Sequence, residues 1–171
     1  KIQIFENEWF GRGLILDGIV QTTELDEFIY HEIITHVPLF SLENPRRILI
    51  VGGGDGGCLE EVLKHPVESV VVCELDEQIV QLSQEYLPSI CKNAFSDSRT
   101  NLVFGDAAKF MERCEERFDI IIVDSTDPIG PAEALFTRTF YENCKRCLVD
   151  EGILVTQNGV LFLQPDEMES T

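Results

Sequence analysis

Four acidic residues stand where apolar runs give out. Asp55 follows Ile48–Val51, Glu74 follows Ser69–Cys73, Asp106 follows Leu102–Phe104 and Asp124 follows Phe118–Val123. Gln157 follows a fifth run, Gly152–Thr156. A single acid in such a place serves as a helix cap, because its side chain accepts from the free N–H groups of the next helix. Four in corresponding positions are hard to explain as caps alone. The carboxyl ends of parallel strands open on the crevice where open α/β sheets bind their ligands.

The glycine loop Gly52-Gly53-Gly54-Asp55-Gly56-Gly57 is the first such group. Gly52, Gly53 and their neighbours let a ligand come close to the backbone. The spacing can pass for a dinucleotide fingerprint, but Asp55 would sit where a pyrophosphate rests on a helix N-terminus. An acid there suits a ligand that is cationic at this end. Glu74, 22 positions after Gly52, can accept from both hydroxyls of a ribose; a helix N-cap is its plainer reading. Asp106, after Gly105, is placed to accept from an adenine amino group, and a turn or cap accounts for it nearly as well.

The stretch Asp124-Ser125-Thr126-Asp127-Pro128-Ile129-Gly130-Pro131-Ala132-Glu133 carries two carboxylates three residues apart. Facing one pocket, they suit a base that takes a proton from an ammonium and an anchor for a second cation. A tight turn in which Pro128 holds Asp127 explains the same spacing equally well.

These residues need a frame. From Arg46 onward, apolar runs alternate with helical patterns, which implies an α/β fold with a Rossmann-like, doubly wound and mostly parallel sheet. The helical stretches are Cys58–Lys64, Glu77–Leu87, Ala107–Cys114 and Leu135–Leu148. Ahead of this core, residues 1–25 read as a small β region, and 26–171 as the nucleoside-binding core. Ile2, Ile4 and Trp9 lie near a first strand, Gly11–Leu16 forms a second and Ile19–Thr23 a third. Asp17-Gly18 is the hairpin signal between the last two, since a type I′ turn needs positive φ. A helix capped by Asp26 follows. Its apolar face is Phe28, Ile29, Ile33, Ile34 and Val37, and Pro38 ends it.

Composition narrows the partners. The 171 residues hold 13 Lys plus Arg against 31 Asp plus Glu, a formal net charge of −18. Such a chain repels nucleic acid and anionic membranes and favours cationic ligands, although acidity also serves solubility. Of the six cysteines, only Cys144 and Cys147 form a C-x-x-C. It falls inside a helical pattern without a second such pair or a nearby His pair, so the thiols read as reduced and metal-free. No signal peptide or membrane-spanning run is visible, which points to a cytoplasmic protein. A first residue other than Met, and an end where a helix begins, suggest part of a longer protein.

Taken in order, Asp17-Gly18-Ile19-Val20-Gln21, Tyr30-His31-Glu32, the Gly52–Gly57 loop, Glu74-Leu75-Asp76, Gly105-Asp106-Ala107, Asp124 to Glu133 and Gln157-Asn158-Gly159-Val160 resemble the spermidine synthases, the polyamine aminopropyltransferase family, and its bacterial members in particular. The resemblance spans essentially the whole chain and is most specific at Asp124 to Glu133. It implies transfer of an aminopropyl group from decarboxylated S-adenosylmethionine to putrescine, giving spermidine and 5′-methylthioadenosine, in a homodimer or homotetramer without a metal. By resemblance, Asp55 binds the terminal amine of the aminopropyl group, Glu74 the ribose, and Asp106 with Ala107 the adenine. Asp124 deprotonates the attacking amine with help from Tyr30. Asp127 lies along the diamine site and Gln157 near its far end. Gln3 and Gln21 face the donor or its sulfur side, and His31 lies near the aminopropyl end. Family members continue well past residue 171, with a helix, further strands and a tyrosine-bearing loop over the diamine.

Two other readings remain. A putrescine N-methyltransferase resembles the same family, but its S-adenosylmethionine keeps a carboxylate that would face Asp55. Two unit charges about 4 Å apart at an effective dielectric of about 20 repel by roughly 4 kcal/mol. A non-catalytic homologue is the second, against which Asp124, Asp127 and Tyr30 speak.

Overall fold

The computed structural model describes residues 1–126 and 130–158. Strands β1 (Ile2–Asn7), β2 (Gly11–Leu16) and β3 (Ile19–Thr23) form an antiparallel sheet. Asp17 and Gly18 both take positive φ, 49° and 91°, as the type I′ hairpin requires. Trp9 lies beyond β1, in a turn where the Asn7 carboxamide oxygen accepts from the N–H groups of Trp9 and Phe10 at 2.9 and 2.7 Å.

Helix α1 (Glu27–Ser41) leads into the larger sheet. There β4 (Arg47–Gly52), β5 (Ser69–Glu74), β6 (Thr100–Phe104), β7 (Phe118–Asp124) and β8 (Leu148–Thr156) pair in parallel, in the order β6-β5-β4-β7-β8. The chain winds outward from β4 to β6, then returns to lay β7 on the other side of β4. That reversal makes the β4–β7 junction the switch point of the sheet. The connecting helices are α2 (Gly57–Leu63), α3 (Glu77–Tyr86), α4 (Pro88–Cys91), α5 (Ala107–Arg113) and α6 (Arg138–Cys147).

Both faces of the sheet are covered, so the central strands carry continuous apolar runs, Ile48–Val51, Val70–Cys73 and Ile120–Val123. Ile48, Ile50, Val70, Val72, Ile120 and Ile122 face α1 and α2, packing on Ile34, Leu59 and Val62. The alternate residues Leu49, Val51, Val71, Ile121 and Val123 face α5 and α6, packing on Met111, Phe140 and Cys144. Full burial of each such side chain contributes about 1.5–3 kcal/mol. A third cluster, Leu14 with Leu87 and Ile90, joins the small sheet to the core. Polar ties reinforce it: Arg12 Nη1 donates to the Tyr86 carbonyl at 2.9 Å, and Ser89 Oγ to Glu24 at 2.5 Å. All six cysteines are free and buried, Cys144 and Cys147 on α6 among them.

Several expectations are corrected. The buried face of α1 is His31, Ile34, Thr35, Pro38 and Leu39, whereas Phe28, Ile29, Ile33 and Val37 are exposed. The helix is turned so that its polar residues reach inward. Pro38 lies within α1 rather than ending it; so near the helix end it forfeits one backbone bond without breaking the last turn. Asp26 precedes the helix without a side-chain capping bond and instead accepts from Thr23 Oγ1 at 2.5 Å. The expected helix from Leu135 is a 3₁₀ segment, Gly130–Phe136, followed by α6, which Thr137 caps through the Phe140 N–H. Strand β8 begins at Leu148, four residues early, with a register shift against β7 and Glu151 at φ 63°.

Candidate active site

At the switch point Gly52 lies directly across from Asp124, and the two strands leave the sheet together. The chain can turn there because Gly52 and Gly53 hold φ of 81° and 70°. A side chain at Gly52 would strike the Asp124 carbonyl. That same carbonyl accepts from Gly53 N–H at 3.0 Å, which ties the glycine loop to the end of β7. A cleft of about 800 Å³ opens above this junction. The small sheet closes one side with Ile2, Leu14, Leu16 and Gln21, and the 3₁₀ segment closes the other with Pro131, Ala132 and Leu135.

Asp124 faces this cleft from the end of β7. Tyr30 Oη donates to Asp124 Oδ1 at 2.7 Å. Burial pushes the Asp124 carboxyl above its ordinary range, and the Asp55 carboxylate pushes it further, while His31, Tyr30 and Cys58 hold it back. A carboxylate so placed is a stronger base than an exposed one. The Tyr30 phenol is itself pushed up, by burial and then by Asp124, so it stays a donor.

Asp55 lies on the floor beside it. Its Oδ1 accepts from Gly57 N–H at 2.9 Å, and its Oδ2 lies 3.5 Å from His31 Nε2. The other ring nitrogen of His31, Nδ1, lies 2.6 Å from Glu27 Oε2. His31 is 2% exposed. Burial alone would lower its pKa, but the Asp55 and Glu27 carboxylates reverse this and raise it to about 11. Burial likewise works against ionised Asp55, and the imidazolium holds its carboxyl below the usual range. Ligand atoms of His31, Asp55 and Asp124 lie within 4.8 Å of one another, the span of a cation site. An imidazolium has no lone pair for a metal, so the cluster suits an ammonium.

Glu74 lines the cleft from the end of β5 and is 6% exposed. It is not the cap of α3, a role Asp76 fills by accepting from Gln78 N–H at 2.9 Å. Glu74 Oε1 accepts from Asp76 N–H at 3.0 Å. Burial pushes its carboxyl up, tempered by backbone N–H groups of Asp76 and Leu75. A Cβ added at Gly54 would come within 2.8 Å of Glu74 Oε2 and of Ile79 Cγ2, so only glycine leaves room there. Asp106 does cap α5, its Oδ1 accepting from Ala108 and Lys109 N–H at 3.0 and 3.3 Å. It also lines the cleft with Ala107, so the cap and ligand readings are compatible. Gln157 lines the far wall, and its buried Oε1 has no hydrogen-bond partner among the described residues.

The structure therefore brings together Gln21, Tyr30, His31, Gly52, Gly53, Asp55, Glu74, Asp106, Ala107, Asp124 and Gln157 around one cleft. It does not bring Gln3, which is exposed and off the cleft. Side chains alternate along a strand; Ile2 and Ile4 pack inward against Leu14 and Leu16, so Gln3 points away. Asp127 lies outside the described residues. Glu27 was missed, although its spacing of four from His31 on one helix was a readable signal. Cys58 was missed too: its buried thiol bonds to Asp124, and nothing in the sequence singles it out.

An acid-lined cleft at the switch point of a parallel sheet, with a small β sheet leaning over it, defines an α/β fold of the methyltransferase-like class. The chain belongs to the spermine/spermidine synthase family, whose domain matches residues 27–171. Residues 1–24 match the spermidine synthase tetramerisation domain. The chain is 55% identical to the polyamine aminopropyltransferase of Ruegeria sp. strain TM1040, over 100% of this chain and 61% of that protein. It is 54% identical to polyamine aminopropyltransferase 1 of Pseudomonas aeruginosa, over 98% of this chain and 59% of that protein. The chain thus spans about 60% of the length of these relatives. Its structure matches a spermidine synthase in complex with the transition state analogue AdoDATO, with a TM-score of 0.95 and 41% identity over 99% of this chain and 58% of that one. The spermidine synthase of Thermotoga maritima matches with a TM-score of 0.90 and 39% identity over 99% and 56%.

Proposed function

We propose that this chain carries the donor site and the base of a polyamine aminopropyltransferase of the spermidine synthase type. The donor is decarboxylated S-adenosylmethionine and the acceptor is putrescine. One observation carries this reading: Asp55 is half-buried on the cleft floor within one cation's span of Asp124, in the same cleft as Glu74. A donor with a terminal ammonium fits that floor, and one with a carboxylate does not. His31 weakens the repulsion expected of a lone Asp55, but Glu27 and Asp124 leave the cluster net negative.

Glu74 would hold the ribose over Gly54, and Asp106 with Ala107 the adenine. Gln157 Oε1, without a partner among the described residues, would accept from the far ammonium of the diamine, alongside Asp127. The donor supplies a sulfonium, whose C–S bond breaks as the amine nitrogen bonds to the carbon; the electron pair passes to sulfur. The leaving group is a neutral thioether and needs no acid. Putrescine ammonium groups have a pKa close to that of lysine, about 10, so the attacking amine must shed a proton. Asp124 would accept it, steadied by Tyr30. Alignment and one base then suffice.

Mass spectrometry of the products from putrescine with each donor tests the assignment. An adduct heavier by one aminopropyl group, formed only from the decarboxylated donor, is expected. Methylated putrescine from S-adenosylmethionine would overturn it. We further propose that residues 1–25 act as an assembly unit and 26–171 as the catalytic core, within a cytoplasmic enzyme. Trp9 is 74% exposed in the turn after β1, and Ile19 and Val20 are exposed on β3. Light scattering should show a dimer or tetramer, and a monomer at micromolar protein would count against it.

A further inference from the structure

Glu27 is the first residue of α1, where an acid ordinarily favours the helix dipole. Its surroundings assign it more. Its carboxylate is largely buried and lies 2.6 Å from His31 Nδ1. The His31 ring is wedged against Gly57, where any Cβ would collide with it. With Nδ1 engaged, Nε2 is aimed at Asp55 Oδ2. Gly57 N–H then holds the other Asp55 oxygen. The order Glu27, His31, Asp55 runs from α1 to the cleft floor without a gap.

We propose that Glu27 is a positioning residue: it fixes the His31 ring, and through it the Asp55 carboxylate that receives the donor's cationic end. This rests on the reading of Asp55 given above. An unanchored ring could turn or take either neutral tautomer, and one tautomer would set a lone pair against Asp55. The anchored ring always presents N–H. The charge sum follows the same logic. Glu27, Asp55 and Asp124 supply three negative charges and His31 one positive, leaving the net negative field that an incoming cation needs. The titratable groups around the ring are Glu27 and Tyr30 on α1, Asp55 on the glycine loop and Asp124 at the end of β7; the Cys58 thiol of α2 lies close to both aspartates.

The test uses the full-length protein as wild type and as Glu27→Gln, which keeps size and removes charge. The first readout is nitrogen NMR of the histidine rings across neutral and alkaline pH. The chain has three histidines, and His31→Gln identifies the His31 signals. Wild-type His31 should keep both ring protons through neutral pH, and in Glu27→Gln it should lose one within that range. The second readout is steady-state kinetics. KM for the donor should rise about tenfold, as when a group that orients a ligand from behind is removed. That rise should exceed any fall in kcat and grow with pH. If His31 keeps both protons in Glu27→Gln and donor KM is unchanged, Glu27 is only a helix-start residue and the proposal fails. Should Glu27→Gln not fold, Glu27→Asp, with its shorter reach, answers the same NMR question. If the protein used no aminopropyl donor, the kinetic arm would fall with that reading. The NMR arm would still decide whether Glu27 holds His31.

Discussion

Asp124 is the residue on which turnover should depend most. Asp124→Asn keeps the shape and the Tyr30 contact but accepts no proton, so kcat should drop by about 10²–10⁴. Donor affinity should change little, because Glu74 and the glycine loop would hold the nucleoside. Alkaline pH should restore part of the rate by supplying free amine, and single-turnover rates across pH would show it. Near wild-type turnover at neutral pH would require another base. Tyr30→Phe makes a different prediction. Tyr30 donates to the Asp124 carboxylate, and without that bond the Asp124 pKa, already raised by burial and Asp55, rises further. As the proposed base Asp124 works as the anion, so activity should be lost as pH falls through its folded pKa. The acid limb of kcat/KM should therefore move to higher pH in Tyr30→Phe, with the smallest loss at alkaline pH. A uniform loss at all pH would assign Tyr30 to substrate packing instead. At this scale the strand-end acids were legible because each ends an apolar run. For Glu27 the spacing from His31 is visible, but an acid in a first helical turn is commonplace, and only the fold shows that His31 faces inward. Gln3 lies off the cleft because alternate residues of a strand face opposite ways.

Elements position these groups, and their tolerances differ sharply. Gly54→Ala would force a Cβ against Glu74 and Ile79 at 2.8 Å from each. Overpacking of this kind costs about 1–3 kcal/mol. Calorimetry should show weaker donor binding, roughly 5- to 150-fold by the same measure, with KM for the diamine much less affected. Gly18→Asn is the control: nothing lies within 4 Å of an added Cβ, and Asn tolerates the left-handed turn. Equal effects of the two would mean that Gly54 has no special fit. The parallel strands could be read from the sequence because each contains a continuous apolar run, longest in the central β4, β5 and β7, the mark of a sheet covered on both faces. Helix α1 could not. Its apolar residues Phe28, Ile29, Ile33 and Val37 define a face by hydropathy, but the helix buries His31 and Thr35 instead. Pattern reading weighs only apolar burial, whereas here the inward face carries His31, set between Glu27 and Asp55.

The net charge of −18 acts on the molecule as a whole. Asp17, Asp55, Glu74, Asp106, Asp124 and Glu133 all line one cleft, so the field converges there. A doubly charged diamine should be steered in, and salt should weaken the effect, since the Debye length is only about 10 Å at 0.1 M ionic strength. Stopped-flow or initial-rate measurements should find kcat/KM for the diamine falling severalfold between low and physiological salt, with kcat far less affected. A flat salt response would confine the acidity to solubility. The buried thiols have a consequence of another kind. Cys58, Cys73, Cys91, Cys114, Cys144 and Cys147 sit in three helices, one strand and the end of α5, all buried and none paired. Burial also pushes the thiols of Cys58, Cys73 and Cys144 up, the last two to about 11 and 12, which starves each of nucleophilic thiolate. An alkylating reagent can therefore mark a cysteine only when the surrounding structure opens, so the chain carries its own set of clocks for local and global unfolding. Cys58, beneath Asp124, keeps time for the catalytic floor, and its labelling rate should fall when a ligand clamps that floor shut.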